Sequence, residues 1–525
     1  MADIRTASRY SNVLILCHSP QAPVRIQMLN RDRNVRESTV SVKPRCMRGA
    51  LICLWFSSFV FGQPFHPSIP KAWDDTEINR FELPLAQADR SPRYPSAAEY
   101  YDLPVRPIYR SYPVYPSNRE PVGYWESLLQ KEPEIVFDVS TLKTKEDWIR
   151  AGQVVFEAST TFISPSRRNL ELASLAAVPG PTLADGAVPE MRYVIRKKGI
   201  VEIGVESCAE CHTRVLPDGA AVEGPPSNDP NSRRVGWRTE QRGEADLARI
   251  QNNWASFFTA PWAANQTDIS KLTLAETVRR WNAMQPGVAP REGTGWRHPV
   301  KIPSLIGVRN LRYLDATGLS RNRSEADLMR YAIVNQGLIN VARYGDYQPR
   351  RLSPADSRYS DEQLYALVLY LYSLKPPVNP NPLDDVARRG QLIFNREGCA
   401  GCHQPPLYTN NQLTPALGFK VPESLRRTEQ ILDVSVGTEP GLALETRRGT
   451  GFYKVPSLRG VWMRQAFNHE GSAASLEEWF DPARLNADYI PKGFHLEPGP
   501  IRGHDFGLNL MPEDRVALIA FLKTL

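Results

Sequence analysis

The sequence predicts a mainly α-helical protein: two tandem units of one kind, joined by a short linker and preceded by an extended arm. Three observations lead there. Landmarks recur in the same order in two stretches of the chain. Each stretch closes on a segment with apolar residues at helical spacing. The prolines and tyrosines that forbid long helices concentrate ahead of the first stretch.

The repeat is explicit. GQVVF at 152–156 matches GQLIF at 390–394, CAECH at 208–212 matches CAGCH at 399–403, and IPSLIGV at 302–308 matches VPSLRGV at 455–461. Gly318 follows Pro303 at the same interval as Gly471 follows Pro456. LYALVLYLYSL at 364–374 matches RVALIAFLKTL at 515–525, with Leu367 against Leu518 and Leu371 against Leu522. Both closing segments have helical periodicity and open on acids, Asp361 and Glu362 or Glu513 and Asp514, where a helix dipole favours them. The units are 141–374 and 386–525, and the proline-stiffened KPPVNPNPLDD at 375–385 links them. The first unit carries an insertion whose MRYVIRKKGIVEIGVES, 191–207, alternates around a glycine and predicts a hairpin leading into Cys208.

Residues 63–140 are rich in Pro and Tyr and predict an extended arm packed on the surface of the two units. Residues 1–62 read as a leader. In MRGALICLWFSSFVFGQ, 47–63, an apolar core too short for a bilayer follows Lys43, Arg45 and Arg48, which describes a secretory signal cut near Gly62–Gln63. Translation is then expected to start at Met47. The expected location is periplasmic or secreted, with no stable membrane span in the mature form. A net charge of +7 over 525 residues, without a dense Lys/Arg run, argues against nucleic acid as a partner.

Seven cysteines occur, and Cys17, Cys46 and Cys53 fall in the leader. The other four form two C-x-x-C-H motifs: Cys208, Cys211 and His212, then Cys399, Cys402 and His403. Two thiols three positions apart face the same way on one helical turn. They suit addition to the two vinyl groups on one porphyrin edge, with the adjacent histidine taking the iron. A zinc site would want a second ligand pair further along, and the sequence has none there. Two covalently bound haem c groups are therefore expected, one per unit, with His212 and His403 as the proximal ligands.

Function turns on the sixth iron position, since a strong ligand closes a haem and an open one admits peroxide or dioxygen. For the second haem the first candidate is His504, in RGHDFG just before the last helix; His495, Met511, Met463 and Tyr453 rank behind it. For the first haem the nearest histidine along the chain is His298, so this iron is expected to be open. Arg330 and Gln336, on the predicted helix 325–336, are candidate catalytic residues placed to polarise a bound peroxide.

VPSLRGVWMRQAFNHEGSAASLEEW, 455–479, with the two C-x-x-C-H motifs, resembles the bacterial di-haem cytochrome c peroxidases and the related MauG-type enzymes over 141–525. That family reads V-P-[ST]-L-R-N, then H-D-G and a Leu-Glu-Glu segment. The resemblance implies two cytochrome c-type domains in an exported oxidoreductase. One haem would pass electrons from a small redox protein or other donor, and the other, here the N-terminal one, would activate peroxide. It also implies a tryptophan between the haems, Trp254 or Trp262, and a calcium ion near their interface by Arg464 and Ala466. The chain departs from the family at Ala483, where the peroxidases place a methionine ligand, and it lacks their distal histidine after the first motif. It is similar as well to the secreted di-haem rubber oxygenases, in its motif separation and a histidine near the C-terminus. A haem oxygenase acting on an apolar substrate, with dioxygen as oxidant, and a pure electron-transfer cytochrome therefore stay as alternatives.

All three readings share one expected outcome. Replacing both cysteines of either motif by alanine removes that haem and unfolds much of its unit, which pyridine haemochrome stoichiometry and circular dichroism would show. A stable, folded Cys208→Ala/Cys211→Ala protein would count against the account of the first unit.

Overall fold

The computed structural model describes residues 65–263, 268–295 and 297–525. The predicted leader and signal lie outside them. In chain order the elements that matter are strand β1 (Ser111–Val114), helix α1 (Lys145–Glu157), strands β2 (Thr161–Ile163), β3 (Val188–Lys197) and β4 (Ile200–Val205), and helix α2 (Cys208–His212). Then come α3 (Asn231–Arg242), α4 (Glu244–Phe258), α5 (Leu274–Asn282), strands β5 (Val288–Ala289) and β6 (Val300–Lys301), and α6 (Glu325–Asn335). Helices α7 (Asp361–Ser373) and α8 (Asp385–Arg396), strands β7 (Leu413–Pro415) and β8 (Phe452–Lys454), and α9 (Pro512–Lys523) complete the set.

The two copies use their terminal helices alike: α1 packs on α7, and α8 packs on α9. Each crossing needs a glycine. A Cβ on Gly152 would sit 1.9 Å from the Ala366 carbonyl oxygen, and one on Gly390 would sit 1.8 Å from that of Ala517. Tyr370 and Phe521 flank the two glycines in the same way. The matched GQ landmark is thus a helix-crossing device, and it sets how closely the closing helix lies over each motif. Thr144 with Asp147 starts α1, and Ser360 with Gln363 starts α7, each by a capping box.

The chain is a mixture of helix and strand, not mainly α. The insertion supplies most of the strand: β1-β3-β4-β2 form an antiparallel sheet, with Tyr193 opposite Ile203 and Phe162 opposite Gly204. The predicted hairpin turns at Lys198-Gly199, where Gly199 takes a φ of +77° that a glycine adopts without strain. Val188, Met191, Tyr193, Ile195, Val201 and Ile203 bury against Leu128, Leu172 and Leu175. This sheet has an apolar core of its own, separate from the helical pairs. Sequence periodicity showed the hairpin but not its two edge partners, which come from distant segments.

The arm is not purely extended. Three helices of six or seven residues, Asp75–Phe81, Ala97–Asp102 and Tyr124–Leu129, interrupt it, and its strand β1 edges the sheet. Its prolines keep each helix short. It is firmly packed: Trp73 is fully buried, stacks on Tyr100 at 5.2 Å and donates its indole N–H to the Pro95 carbonyl. Tyr101 donates to Asp361 at the start of α7, so the arm also braces the first helix pair. Among the described residues no helix is long and apolar enough to cross a membrane.

The crossing makes a quantitative demand. Gly390→Ala is expected to cost about 3 kcal/mol or more, because the new methyl meets backbone and not a flexible side chain. Gly401→Ala, with nothing within 4 Å, should be nearly neutral; thermal unfolding of the two variants checks the difference.

Candidate functional site

The second C-x-x-C-H motif opens a cavity of about 260 Å³. Cys399 starts a short 3-10 turn, and the His403 N–H donates to the Cys399 carbonyl at 2.9 Å, which folds the histidine back under the thiols. His403 is buried, and its Nδ1 lies 3.0 Å from the Tyr408 carbonyl. That contact consumes one ring nitrogen and leaves Nε2 to face the cavity. Cys399, Cys402, Phe394, Leu458, Trp479, Leu518 and Leu522 line the space, so its walls are largely apolar.

His504 lies on the opposite wall. Its ring centroid is 6.3 Å from that of His403. Two imidazoles that bind one metal from opposite sides have this separation: a bond of roughly 2 Å to each nitrogen, plus the radius of each ring. The His504 Nδ1 is buried without a hydrogen-bond partner. Burial pushes its pKa down to about 4, with the neighbouring His403 adding to the shift, so the ring stays neutral and fit to coordinate. The other candidates are placed elsewhere. The His495 Nδ1 turns back on the Gly493 carbonyl, Met511 is exposed, Met463 is buried in the turn after Gly460, and Tyr453 stacks on His469 at 4.4 Å.

The loop that presents His504 is strained and held. Gly503 and His504 have φ of +77° and +52°, and the His504 N–H donates to the Val436 carbonyl at 2.6 Å. Arg484 is wholly buried beneath it. Its guanidinium donates to the carbonyls of Trp479 (2.8 Å), Gly503 (2.9 Å), His504 (3.1 Å) and Ile501. It also packs over the Trp479 ring at 4.5 Å, while Trp479 faces His504 at 5.5 Å. Sequence reasoning passed over Arg484. It comes directly after Ala483, the position where a family methionine was expected, and that displacement was the available signal.

The cavity is also strongly positive. Its lining carries Arg291, Lys301, Lys454, Arg459 and Arg464 against one carboxylate, Asp315. Asp315 is already committed: it binds Arg448 at 2.7 Å and accepts from the Tyr331 hydroxyl at 2.6 Å. Burial, reinforced by the other cations, pulls the Lys301 ammonium down to about 7; burial with Arg464 takes Lys454 to about 8, against the pull of Asp315. Lys301 and Lys454 are the residues two before the repeated Pro303 and Pro456, so both copies send a lysine to this one cavity. An apolar slot with facing imidazoles, a thiol pair and surplus cations fits a haem, whose two propionates would answer the cations.

The first motif lies on a turn of α-helix, where the second has a 3-10 turn entered through a left-handed Gly398. Ser207 caps α2, and the carbonyls of Cys211 and His212 accept from Ser227 and Gly224. The His212 Nδ1 faces the Pro303 and Gly224 backbone without hydrogen-bond geometry. Burial takes the ring down to about 3, and the Arg291 charge adds to the shift. Arg291 therefore acts near His212 while lining the second cavity, and with Asp315, Tyr331 and Arg448 it spans from one motif to the other.

Gln336 reaches the first site, its Nε2 lying 3.7 Å from the Cys208 Sγ. Arg330 is buried and bound to Asp327 at 2.8 Å. Trp254 packs on Trp281 at 5.1 Å, and Trp262 on Tyr344 at 5.7 Å. His298 stands among Glu439, Glu445 and Glu470.

No family model and no curated relative matches the chain. Among solved structures it is similar to a MauG-like protein associated with microbial copper homeostasis, at 15% identity over 53% of this chain and 89% of that one, TM-score 0.30. It is similar to the diheme peroxidase BthA of Burkholderia thailandensis, at 16% identity over 80% of this chain and 93% of that one, TM-score 0.28. Hydrazine synthase of Kuenenia stuttgartiensis matches at 16% identity over 54% and 88%, TM-score 0.28. With TM-scores this low, any reading of function rests on the site itself.

Arg484→Lys keeps the charge but loses the fork. It is expected to destabilise the chain by about 2–4 kcal/mol and to raise amide exchange across 501–505, because carbonyls lose their donors. Unchanged protection of the His504 amide would show that the loop is held without Arg484.

Proposed function

We propose that this chain is an exported di-haem c-type cytochrome that acts as a peroxidase-like oxidoreductase. Cys208, Cys211 and His212 would hold the first haem, and Cys399, Cys402 and His403 the second, each through two thioether bonds and a proximal imidazole. The observation that carries the reading is the 6.3 Å separation of the His403 and His504 rings across the apolar, cation-lined cavity. His504 would be the second axial ligand there, closing that iron and suiting it to electron transfer.

The first site supports the complementary role. The described histidines beyond the two proximal ones are accounted for away from it: His298 and His469 lie among carboxylates, His495 turns to Gly493, His504 faces His403, and His66 is exposed on the arm. His212 would then hold an iron whose other face is open to a small oxidant. A haem held at such a position would supply binding and reduction of peroxide. Around it the chain's own residues exclude water and set charge. Gln336 would stand at the Cys208 side of the ring edge, and burial, with the Arg291 charge adding to it, keeps His212 neutral. Arg330 pairs with Asp327 one turn earlier on the same helix, α6, and Gln336 follows the end of that helix. A small redox protein is the expected electron donor. The export segment and the commitment of every cysteine after the leader to the motifs support a periplasmic or secreted setting.

Electron paramagnetic resonance of the oxidised protein tests this. One low-spin and one high-spin haem are expected, and His504→Ala should convert the low-spin signal while leaving the other unchanged. Two low-spin signals in the parent would favour the electron carrier, and a His504→Ala spectrum identical to the parent's would remove His504 from the iron.

A further inference from the structure

A second cluster of ligating groups stands beside the haem-two cavity, and the haem reading makes no use of it. The β5–β6 hairpin of the first copy carries His298 two residues before β6, and β6 reaches the second copy by donating the Lys301 N–H to the His469 carbonyl at 2.9 Å. His298 is only 7% exposed, yet neither of its ring nitrogens has a hydrogen-bond partner. Its Nδ1 lies 3.7 Å from a Glu439 carboxylate oxygen, its Nε2 lies 3.8 Å from Glu445, and Glu470 completes the wall. One ligand atom each from His298, Glu439 and Glu470 falls within 4.8 Å of the other two. The same Glu439 oxygen is buried and unpartnered. Gly441 leaves room for the imidazole, since a Cβ there would lie 2.2 Å from the His298 Cε1.

Two readings compete. A protonated His298 forming ion pairs would close these gaps to hydrogen bonds of about 2.7–2.9 Å, and it has not. Ligands of one divalent ion, each 2.0–2.2 Å from it, stand about 3.4 Å apart at tetrahedral angles. The His298–Glu439 gap of 3.7 Å is near that, the Glu470 ligand atom lies within 4.8 Å of both, and an orphaned imidazole nitrogen and an orphaned carboxylate oxygen face each other across that gap. We infer that His298, Glu439 and Glu470 form a site for one divalent transition-metal ion of borderline softness, of which zinc is the natural probe. An imidazole with two carboxylates suits such an ion, whereas calcium asks for six to eight oxygens.

The site has an outer support. The His469 Nε2 is 3.6 Å from Glu439 and 3.2 Å from the Tyr453 hydroxyl, which donates to the Glu439 carbonyl at 2.6 Å. Tyr453 and His469 also line the haem-two cavity. The ion would clamp the hairpin of the first copy onto two loops of the second, at the wall of that cavity. Its ligands come from three separated segments, so it would act as a cross-link between the copies. The inference stands independently of which oxidant the haems handle.

Metal analysis of the haem-loaded full chain tests it. After chelator treatment and gel filtration, zinc is titrated calorimetrically and retained metal is measured by mass spectrometry. One equivalent of zinc per chain, beyond the haem iron, is expected, with a rise in unfolding temperature on binding. Glu439→Gln/Glu470→Gln should weaken binding about a hundredfold or more, and His298→Gln alone should do the same should the double variant fail to fold. Glu477→Gln, whose carboxylate is exposed and paired with Lys523, should bind as the parent does. Absence of a saturable equivalent in the parent, zinc affinity unchanged in a folded variant, or displacement of zinc by equimolar calcium would each overturn the inference.

Discussion

Two helices that nearly touch set the geometry of each copy. At Gly152 and Gly390 the backbone of the opening helix lies against the backbone of the closing one, so closely that a single methyl would meet a carbonyl oxygen. No other residue type permits that approach. The crossing pins the closing helix over the C-x-x-C-H segment of the same copy. Leu518 and Leu522 then reach the cavity wall in the second copy, and in the first the arm ties itself to the start of α7 through Tyr101 and Asp361. The motif supplies the thiols and the imidazole, and the crossing decides what stands above them.

The second constraint is electrostatic. Five basic side chains with a single committed carboxylate around a buried apolar slot are a costly arrangement unless an anion joins them. The depressed Lys301 and Lys454 express that cost. The charge comes from both copies: Arg291 and Lys301 from the first, Lys454, Arg459 and Arg464 from the second. The slot is therefore a property of the pair of copies, and a cofactor held there would bind them together. Arg484 solves a different problem beside it. A left-handed His504 is unfavourable for a side chain with a Cβ, and four carbonyls gathered on one buried guanidinium hold the loop in that shape.

Much of this was legible in the residues. The paired C-x-x-C-H motifs, the matched glycines, the hairpin before Cys208 and the candidacy of His504 all rest on local spacing, which a linear sequence records. Less was legible where partners are distant. The mainly helical expectation missed the sheet, because β1 and β2 acquire strand character only by pairing with the hairpin. Arg484, Lys301 and Lys454 carry no motif of their own. Their importance lies in the groups they approach, although the lysines do recur two positions before the repeated prolines.

By itself the sequence carried the repeat and the paired thiol–imidazole motifs, since thiol and imidazole on one turn, glycine at a crossing and proline in an arm are short-range facts. Tertiary structure alone decided which second imidazole faces His403, that both copies pour their cations into one cavity, and that His298 meets Glu439 and Glu470. Those are meetings between segments far apart in the chain. Nothing in local spacing specifies them, because they depend on how the two copies pack and on which buried charges that packing leaves to be answered.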